Sequence, residues 1–572
     1  MKGGVGKYRK RWTLILAISL LEVYYGMLGV RSPIVLTDSP RSTVFTSFSE
    51  IQSICNETVT TAKEVHRAKS MQNGSEYALW SQDIPTIFMN CRQLVRSLQT
   101  SSRDRYEPSP TLSSLRLAQR MDKLDTNSQQ RKDPFKIVVI GGSMTTGFVD
   151  ITKMNVRELA WPTKLLNFMQ HHWPHGSIDV VNLAIGGANE ESWLGNIDLI
   201  ANESPIDVIL VESAVNDQCE YKEQVAAAQE VNRTSFLLLD ILINLPSQPA
   251  VFSVELFRTA YRNKNDANKH CPGHVNLVVD PTMDHDCFYC EQWYEPQDWR
   301  KSARDGNSVS YISYRDAIWE DLHHPPEDLC QYWSGLSHPL PGVHSMVAST
   351  VLFTFLLTFH KKDALVAKFH GMDQIAKIES KSSKQQQHYD DICVHPITSF
   401  HAEQGNPVDP LNIHESSNNS QSYWDFRADS KEKYGWICEA QNNVSSSDHY
   451  YLLQKNIRIG KQRLVIVSRL VSYDERMATA QVWFGSPNSN SNIFVGNPVW
   501  NITSSHDKKT SIPHSYSILL DQVEFKESGL SSDEDDDVEI MLNIKMMKGS
   551  SKSSWKGSNG IDKFKLLGIV SC

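Results

Sequence analysis

Four short stretches of this chain carry residue types that acyl transfer needs. Gly141-Gly142-Ser143-Met144-Thr145-Thr146-Gly147 follows the apolar, β-branched run Lys136–Ile140. A serine at a strand-to-helix turn stands at the carboxyl edge of a sheet, where α/β sites form. The glycines permit close backbone approach, and the amides that follow point at whatever the hydroxyl attacks. A phosphate-binding loop looks similar, but the Lys-Ser/Thr pair of a P-loop is missing. The second stretch runs from Asn182 to Gly187, the third is Ala214-Val-Asn-Asp217, and the fourth, Leu336 to His344, carries His338. A serine attacks a carbonyl, and a histidine removes its proton and returns it to the leaving group. Backbone amides and an asparagine amide bind the developing oxyanion, each such donor being worth about 3–4 kcal/mol of barrier. The set asks for no metal and no cofactor. The bland reading of Ser143 is a helix N-cap, which leaves the company of Asn216 and His338 unexplained.

In this order the four stretches resemble the SGNH/GDSL hydrolase superfamily over residues 134–360. The resemblance implies Ser143 as nucleophile, Gly187 and Asn216 as oxyanion donors and His338 as base. Three departures stand out. The family's Gly-Asp-Ser reads Gly141-Gly142-Ser143, and the glycine of Gly-x-Asn-Asp is Ala214. The acid that the family places three residues before its histidine is Gly335 here. That acid orients the imidazole and stabilises its charged form. Three alternatives stay open: a Ser-His dyad held by a backbone carbonyl, another carboxylate such as Glu327 or Asp328, or an inactive domain. Asp321-Leu-His-His324-Pro325 does have the Asp-x-x-His-Pro spacing. It lies well ahead of the last helix, whereas His338 lies just before it, so His338 is preferred. His344 reads as a packing or capping residue. His270, Cys271, His274, His285, Cys287 and Cys290 form a second cluster. Its Cys-x-x-Cys matches no trusted zinc spacing, and disulfides with surface histidines are favoured.

These residues need a frame. Apolar runs at 136–140, 179–184, 207–211, 250–254 and 309–313 have the length of buried parallel strands. Helical patterns at Thr163–His171, Glu190–Ala201 and Tyr221–Ile243 alternate with them. This alternation predicts an α/β fold with a parallel sheet and helices on both faces, and the resemblance implies a flavodoxin-like, three-layer SGNH domain. Ser345–Phe359 is strongly apolar but short for a bilayer, and reads as the buried last helix of that domain. After Cys393 strands recur without intervening helices, which predicts a C-terminal all-β sandwich. Trp424-Asp-Phe426, Lys433–Cys438 and Ser468–Tyr473 resemble the β-rich region of some algal and fungal SGNH proteins. The aromatics there either bind carbohydrate or fill a core. The acidic run Ser532–Asp537 reads as a solvated loop in preference to a calcium site.

The chain has 572 residues, enough for several domains, and its net charge of −9 argues against a nucleic-acid partner. Lys2, Lys7, Arg9, Lys10 and Arg11 precede an apolar run over Leu14–Val30. This reads as a single-pass type II signal anchor, with a cleaved signal peptide as the alternative. Ten cysteines and Asn-x-Ser/Thr sequons at Asn56, Asn73, Asn202, Asn232, Asn418, Asn443 and Asn501 fit a secretory, disulfide-forming compartment, Golgi or cell surface. The expected layout is a basic tail and anchor (1–31), a stem or linker (32–132), the SGNH-like domain (133–362), a linker (363–392) and the β-sandwich (393–572). The expected function is a serine esterase acting on O-acyl esters, foremost O-acetyl, of an acylated glycan or small ester. An O-acyltransferase with the same first half-reaction is one alternative, and a catalytically inactive glycan-binding or scaffold protein is the other.

Overall fold

The computed structural model describes residues 48–72, 89–98, 111–125, 133–149, 154–155, 157–213, 224–256, 275–278, 287–290, 296–323, 338–339, 341–370, 394–398, 424–428, 434–441, 452–459, 464–471, 476–485, 499–504, 512–520, 538–547 and 561–571. The N-terminal basic and apolar segment, His270, Cys271, His274 and His285, and the acidic run at 532–537 lie outside these residues, as do positions 371–392 of the expected 363–392 linker, whose first part is instead helical over Lys362–His370.

A five-stranded parallel sheet organises the first part. Its strands are β1 (Phe135–Ile140), β2 (Ile178–Asn182), β3 (Val208–Val211), β4 (Ala250–Glu255) and β5 (Ser310–Ser313), in the order β2-β1-β3-β4-β5. Ile137 of β1 lies between Val180 of β2 and Val208 of β3. This is the flavodoxin-like order, with β3 central and the switch point between β1 and β3. Alternate side chains leave opposite faces. Ile137, Val139, Val208, Leu210, Phe252 and Val254 enter one hydrophobic cluster, and Val138, Ile140, Ile209, Val211 and Val251 enter another.

Helices cover both faces. They include α1 (Phe48–Gln72), α2 (Cys91–Arg96), α3 (Leu112–Arg120), α4 (Ser143–Thr146), α5 (Trp161–His172), α6 (Glu190–Leu194), α7 (Gln224–Ile243), α8 (Lys301–Asn307), α9 (Tyr314–His323) and α10 (Pro341–His360). The first cluster takes apolar residues from α1, α2, α3, α5, α9 and α10, the second from α6, α7 and α8. The three-layer arrangement is the expected one. One expected helix, Glu190–Ala201, is two: Gly195 caps α6, and a second helix begins at Ile197.

α10 is long and apolar enough to cross a bilayer, but 94% of its most apolar window is buried inside the molecule. It is the core helix of the domain, as its length and flanks imply.

The region expected as a stem is different. α1, α2 and α3 belong to the core of the α/β part: Ile51, Ile54, Cys55, Ala62, Val65, Leu94 and Leu117 all sit in the first cluster. Those α1 residues recur at helical spacing on one face, and the surrounding Ser/Thr content hides the pattern. Thr58 sits on that buried face because its hydroxyl donates to the Ile54 carbonyl at 2.8 Å. A disulfide joins Cys55 of α1 to Cys91, the first residue of α2. α2 is closed by a capping box in which Asn90 and Gln93 bond each other's backbone amides.

The C-terminal part is all-β. Its strands are β6 (Val394–Thr398), β7 (Trp424–Ala428), β8 (Tyr434–Gln441), β9 (Leu452–Ile459), β10 (Leu464–Val471), β11 (Thr479–Gly485), β12 (Trp500–Thr503), β13 (Ile512–Leu519), β14 (Val538–Met546) and β15 (Ile561–Ser571). One antiparallel sheet runs β7-β8-β15-β10-β13 with β6 on β15, and the other runs β9-β14-β11-β12. Their inner faces share one core that includes Trp424, Trp436, Val467, Phe484, Ile544 and Phe564. Trp424 and Trp436 are buried, and Trp424 meets Phe564 edge-on. Of the two roles open to these tryptophans, they have that of core filling.

Candidate active site

The nucleophile loop is built by the end of β1. Gly141 continues the strand, Gly142 takes the cap position of α4 and makes no side-chain cap bond, and Ser143 opens the helix. The Ser143 hydroxyl is therefore not spent on capping. It faces His338, whose Nε2 lies 2.7 Å from Ser143 Oγ across 195 positions of sequence. Both residues are half-buried. The Phe148 ring packs against the imidazole with centroids 4.6 Å apart. His338 lies just ahead of α10, so the packed core helix fixes where the loop bearing the histidine ends.

The stretch after β2 reaches the same place. Leu183 and Ile185 continue the ladder, donating to Val139 and Gly141 carbonyls at 2.9 and 3.0 Å. Asn182 donates from Nδ2 to the Thr145 carbonyl at 2.8 Å and accepts from the Ala184 amide, so one side chain ties the second stretch to the first. The chain then turns through Gly186 and Gly187. Gly187 has φ 80°, a left-handed conformation that favours glycine. A Cβ built on Gly186 would stand 4.0 Å from Ser143 Cβ, which places this turn beside the serine. Asn189 then caps α6 by accepting from the Ser192 amide.

Of the predicted residues, Ser143, Gly187 and His338 are placed; Asn216 lies outside the described residues, as do His324, Glu327, Asp328 and Gly335. Asp321, the carboxylate of the competing Asp-x-x-His-Pro stretch, accepts from Arg96 at 2.6 Å and Gln93 at 2.8 Å, which ties α9 to α2. His344 is fully buried in the first turn of α10. Desolvation, with Lys164 and His338 adding to it, lowers its pKa to about 3, so it packs as a neutral ring.

Sequence reasoning passed over the groups beneath the loop. Glu212, one residue past β3, accepts from the Gly142 amide at 3.2 Å and from the Thr145 hydroxyl at 2.8 Å. Trp161 donates to the same Thr145 oxygen at 3.0 Å. Glu190, Glu255, Arg300 and Arg304 are buried nearby. Arg300 bridges Glu190 at 3.0 Å and Glu255 at 2.8 Å, while Arg304 reaches Glu255 at 2.6 Å. The available signal was a charged residue ending an otherwise apolar strand, at both Glu212 and Glu255.

No family model and no curated protein matches the chain. Among solved structures it is similar to a two-domain esterase (CEX) active on acetylated mannans, at 12% identity and TM-score 0.44, over 80% of this chain and 95% of that one. It is also similar to Est24, a carbohydrate acetylesterase from Sinorhizobium meliloti, at 13% identity and TM-score 0.26, over 38% and 96%. An acetyl xylan esterase, AlAXEase, stands at 14% and 0.27, over 38% and 97%. The strand order β2-β1-β3-β4-β5, with a serine turn after β1 and a histidine ahead of the last core helix, gives this chain the flavodoxin-like α/β arrangement expected from its sequence.

Proposed function

We propose that this protein is a serine esterase that cleaves O-acyl esters, foremost O-acetyl groups of glycans, through an acyl-enzyme on Ser143. The carrying observation is the 2.7 Å contact between Ser143 Oγ and His338 Nε2. A neutral imidazole at that distance accepts the hydroxyl proton as the oxygen attacks the ester carbonyl. His338 then returns the proton to the leaving sugar oxygen. Water, deprotonated by the same imidazole, releases the acid from Ser143. The oxyanion of each tetrahedral intermediate is met by backbone amides at Ser143 and Gly187, with the Asn216 amide as third donor on the family pattern. The turn at Gly186–Gly187, beside Ser143, supports that role. The glycan assignment rests on the sequence resemblance of the α/β and β-rich parts. The Cys55–Cys91 disulfide supports a secretory compartment.

Fluorophosphonate labelling and p-nitrophenyl acetate hydrolysis test the mechanism. Both are expected in the wild type, neither in Ser143→Ala, and hydrolysis lower by about 10³-fold or more in His338→Ala. A well-folded wild type that neither labels nor hydrolyses overturns it. Acyl transfer to a sugar hydroxyl in place of water shares the first half-reaction. Partition of the acyl group between water and added oligosaccharide decides between the two.

A further inference from the structure

We propose that Glu212 is a positioning residue: its buried carboxyl clamps the nucleophile loop from below and sets the posture of Ser143, an inference that rests on the serine-esterase reading. Glu212 Oε2 accepts from the amide of Gly142, immediately before the serine, and from the hydroxyl of Thr145, two residues after it. The clamp therefore straddles Ser143. The other oxygen, Oε1, is buried and has no hydrogen-bond partner among the described residues, so the carboxyl's hydrogen bonding is directed at this loop. Trp161 donates to Thr145 from the far side and fixes that hydroxyl's orientation towards Glu212. The fit is close. A Cβ on Gly141 would stand 2.6 Å from Thr145 Oγ1 and 2.8 Å from the Glu212 carbonyl, so only glycine lets the loop lie this near β3.

The clamp has two strengths. A carboxylate accepts these two hydrogen bonds more strongly than a neutral acid does. Glu212 is fully buried, which pushes its pKa up to about 7 in spite of both bonds. The charged groups around it are Arg300 and Arg304 on and ahead of α8, Glu255 at the end of β4, Glu190 at the start of α6, and Arg315 on α9. Arg315 is occupied by Asp298 and Asp316. The remaining two guanidiniums are engaged by Glu190 and Glu255, which leaves Glu212 as the surplus carboxyl. Near neutral pH it exchanges its proton, and the loop is held more tightly as pH rises.

The test is the pH dependence of fluorophosphonate labelling of Ser143 in the full chain, in wild type, Glu212→Gln and Thr145→Val. The wild-type rate should carry a deprotonation step from Glu212. Glu212→Gln keeps an acceptor but cannot ionise, so it should lose that step. Thr145→Val, nearly isosteric, should slow labelling by about tenfold or more, as small misplacements of reacting groups do. A Glu212→Gln profile superimposable on the wild type overturns the proposal, because a merely structural role leaves no titration to remove. Hydrogen exchange of the 141–147 segment supplies a readout without activity. Its protection should rise with pH in wild type and be independent of the same titration in Glu212→Gln. Should the wild type not label at all, the esterase reading fails and this exchange measurement alone decides the clamp: pH-dependent protection that disappears in Glu212→Gln sustains it, and identical protection in both proteins removes it.

Discussion

Arg300 donates from Nη1 to Glu255 Oε2 at 2.8 Å, with 1% of the arginine and none of the glutamate exposed. The pair lies under the carboxyl ends of the strands, where the Ser143 loop begins. Glu255 also takes Arg304, and Ser253 donates to it. Removing Arg300 leaves buried Glu190 with no counter-ion among the described residues and Glu255 with Arg304 alone, which costs about 3–5 kcal/mol. Arg300→Ala should lose stability on that scale in urea denaturation. A loss below about 1 kcal/mol, the level of an exposed pair, would show that the cluster is solvated in solution.

Glu212 couples stability to pH in the opposite sense to most carboxylates. Its folded pKa is raised to about 7, above its ordinary 4.5, by burial. Between those values the folded chain holds a proton that the unfolded chain has lost. The stability it contributes is complete below pH 4.5 and is lost as pH rises through about 7. Relative to Glu212→Gln, the wild type should become less stable over that window by on the order of 3 kcal/mol. A difference flat with pH in paired denaturation curves would contradict this. The posture of Ser143 and the stability of the fold therefore respond to the same proton in opposite directions.

His344 has the reverse sign. Its folded pKa is lowered from 6.5 to about 3 by burial. The stability from keeping it neutral is complete above pH 6.5 and is lost as pH falls towards 3. His344→Leu should flatten the acid limb of a melting-temperature profile between those values. An unchanged acid limb would place the acid sensitivity elsewhere.

The β part bears directly on the α/β core. Ile466 of β10 is fully buried in the cluster that also holds Trp193 and Leu194 of α6, and α6 touches both β10 and β13. α6 follows the Gly186–Gly187 turn. Ile466→Ala should cost about 2–5 kcal/mol, and a chain ending at residue 370 should lose cooperative melting of the α/β part. A truncated chain that melts as the full one does would make the two parts independent.

Cys55–Cys91 closes a loop of 36 residues. On chain entropy alone, removing it costs about 3–4 kcal/mol. Cys55→Ser with Cys91→Ser should lower the thermal midpoint, and reduction of the wild type should reproduce the loss. Free thiols at both positions in the purified protein would exclude the bond.

The parallel sheet was legible because buried strands are short runs of β-branched residues. Val138-Val139-Ile140 and Val208–Val211 announce themselves wherever they are read. The serine turn and the Gly-Gly turn were legible for a related reason: backbone that must turn sharply at a strand end needs glycine, which leaves marks at single positions. Three matters were decided only by tertiary structure. Helices α1 to α3 read as a stem because their apolar stripe is thin and Thr58 interrupts it; α10 and the Cys55–Cys91 bond make that stripe a core face. Trp424 and Trp436 were equally suited to a ligand or a core, since an aromatic ring buries against either, and the two packed sheets enclosed them. Glu212 and Glu255 read as ordinary acidic residues, because local sequence does not record what lies across a fold. Their burial, their arginine partners and the hold of Glu212 on Gly142 and Thr145 arise only when β3, β4, α8 and the serine loop converge. Local sequence determines elements through periodicity and turn chemistry, while the electrostatics of a buried site belong to contacts between residues far apart in the chain.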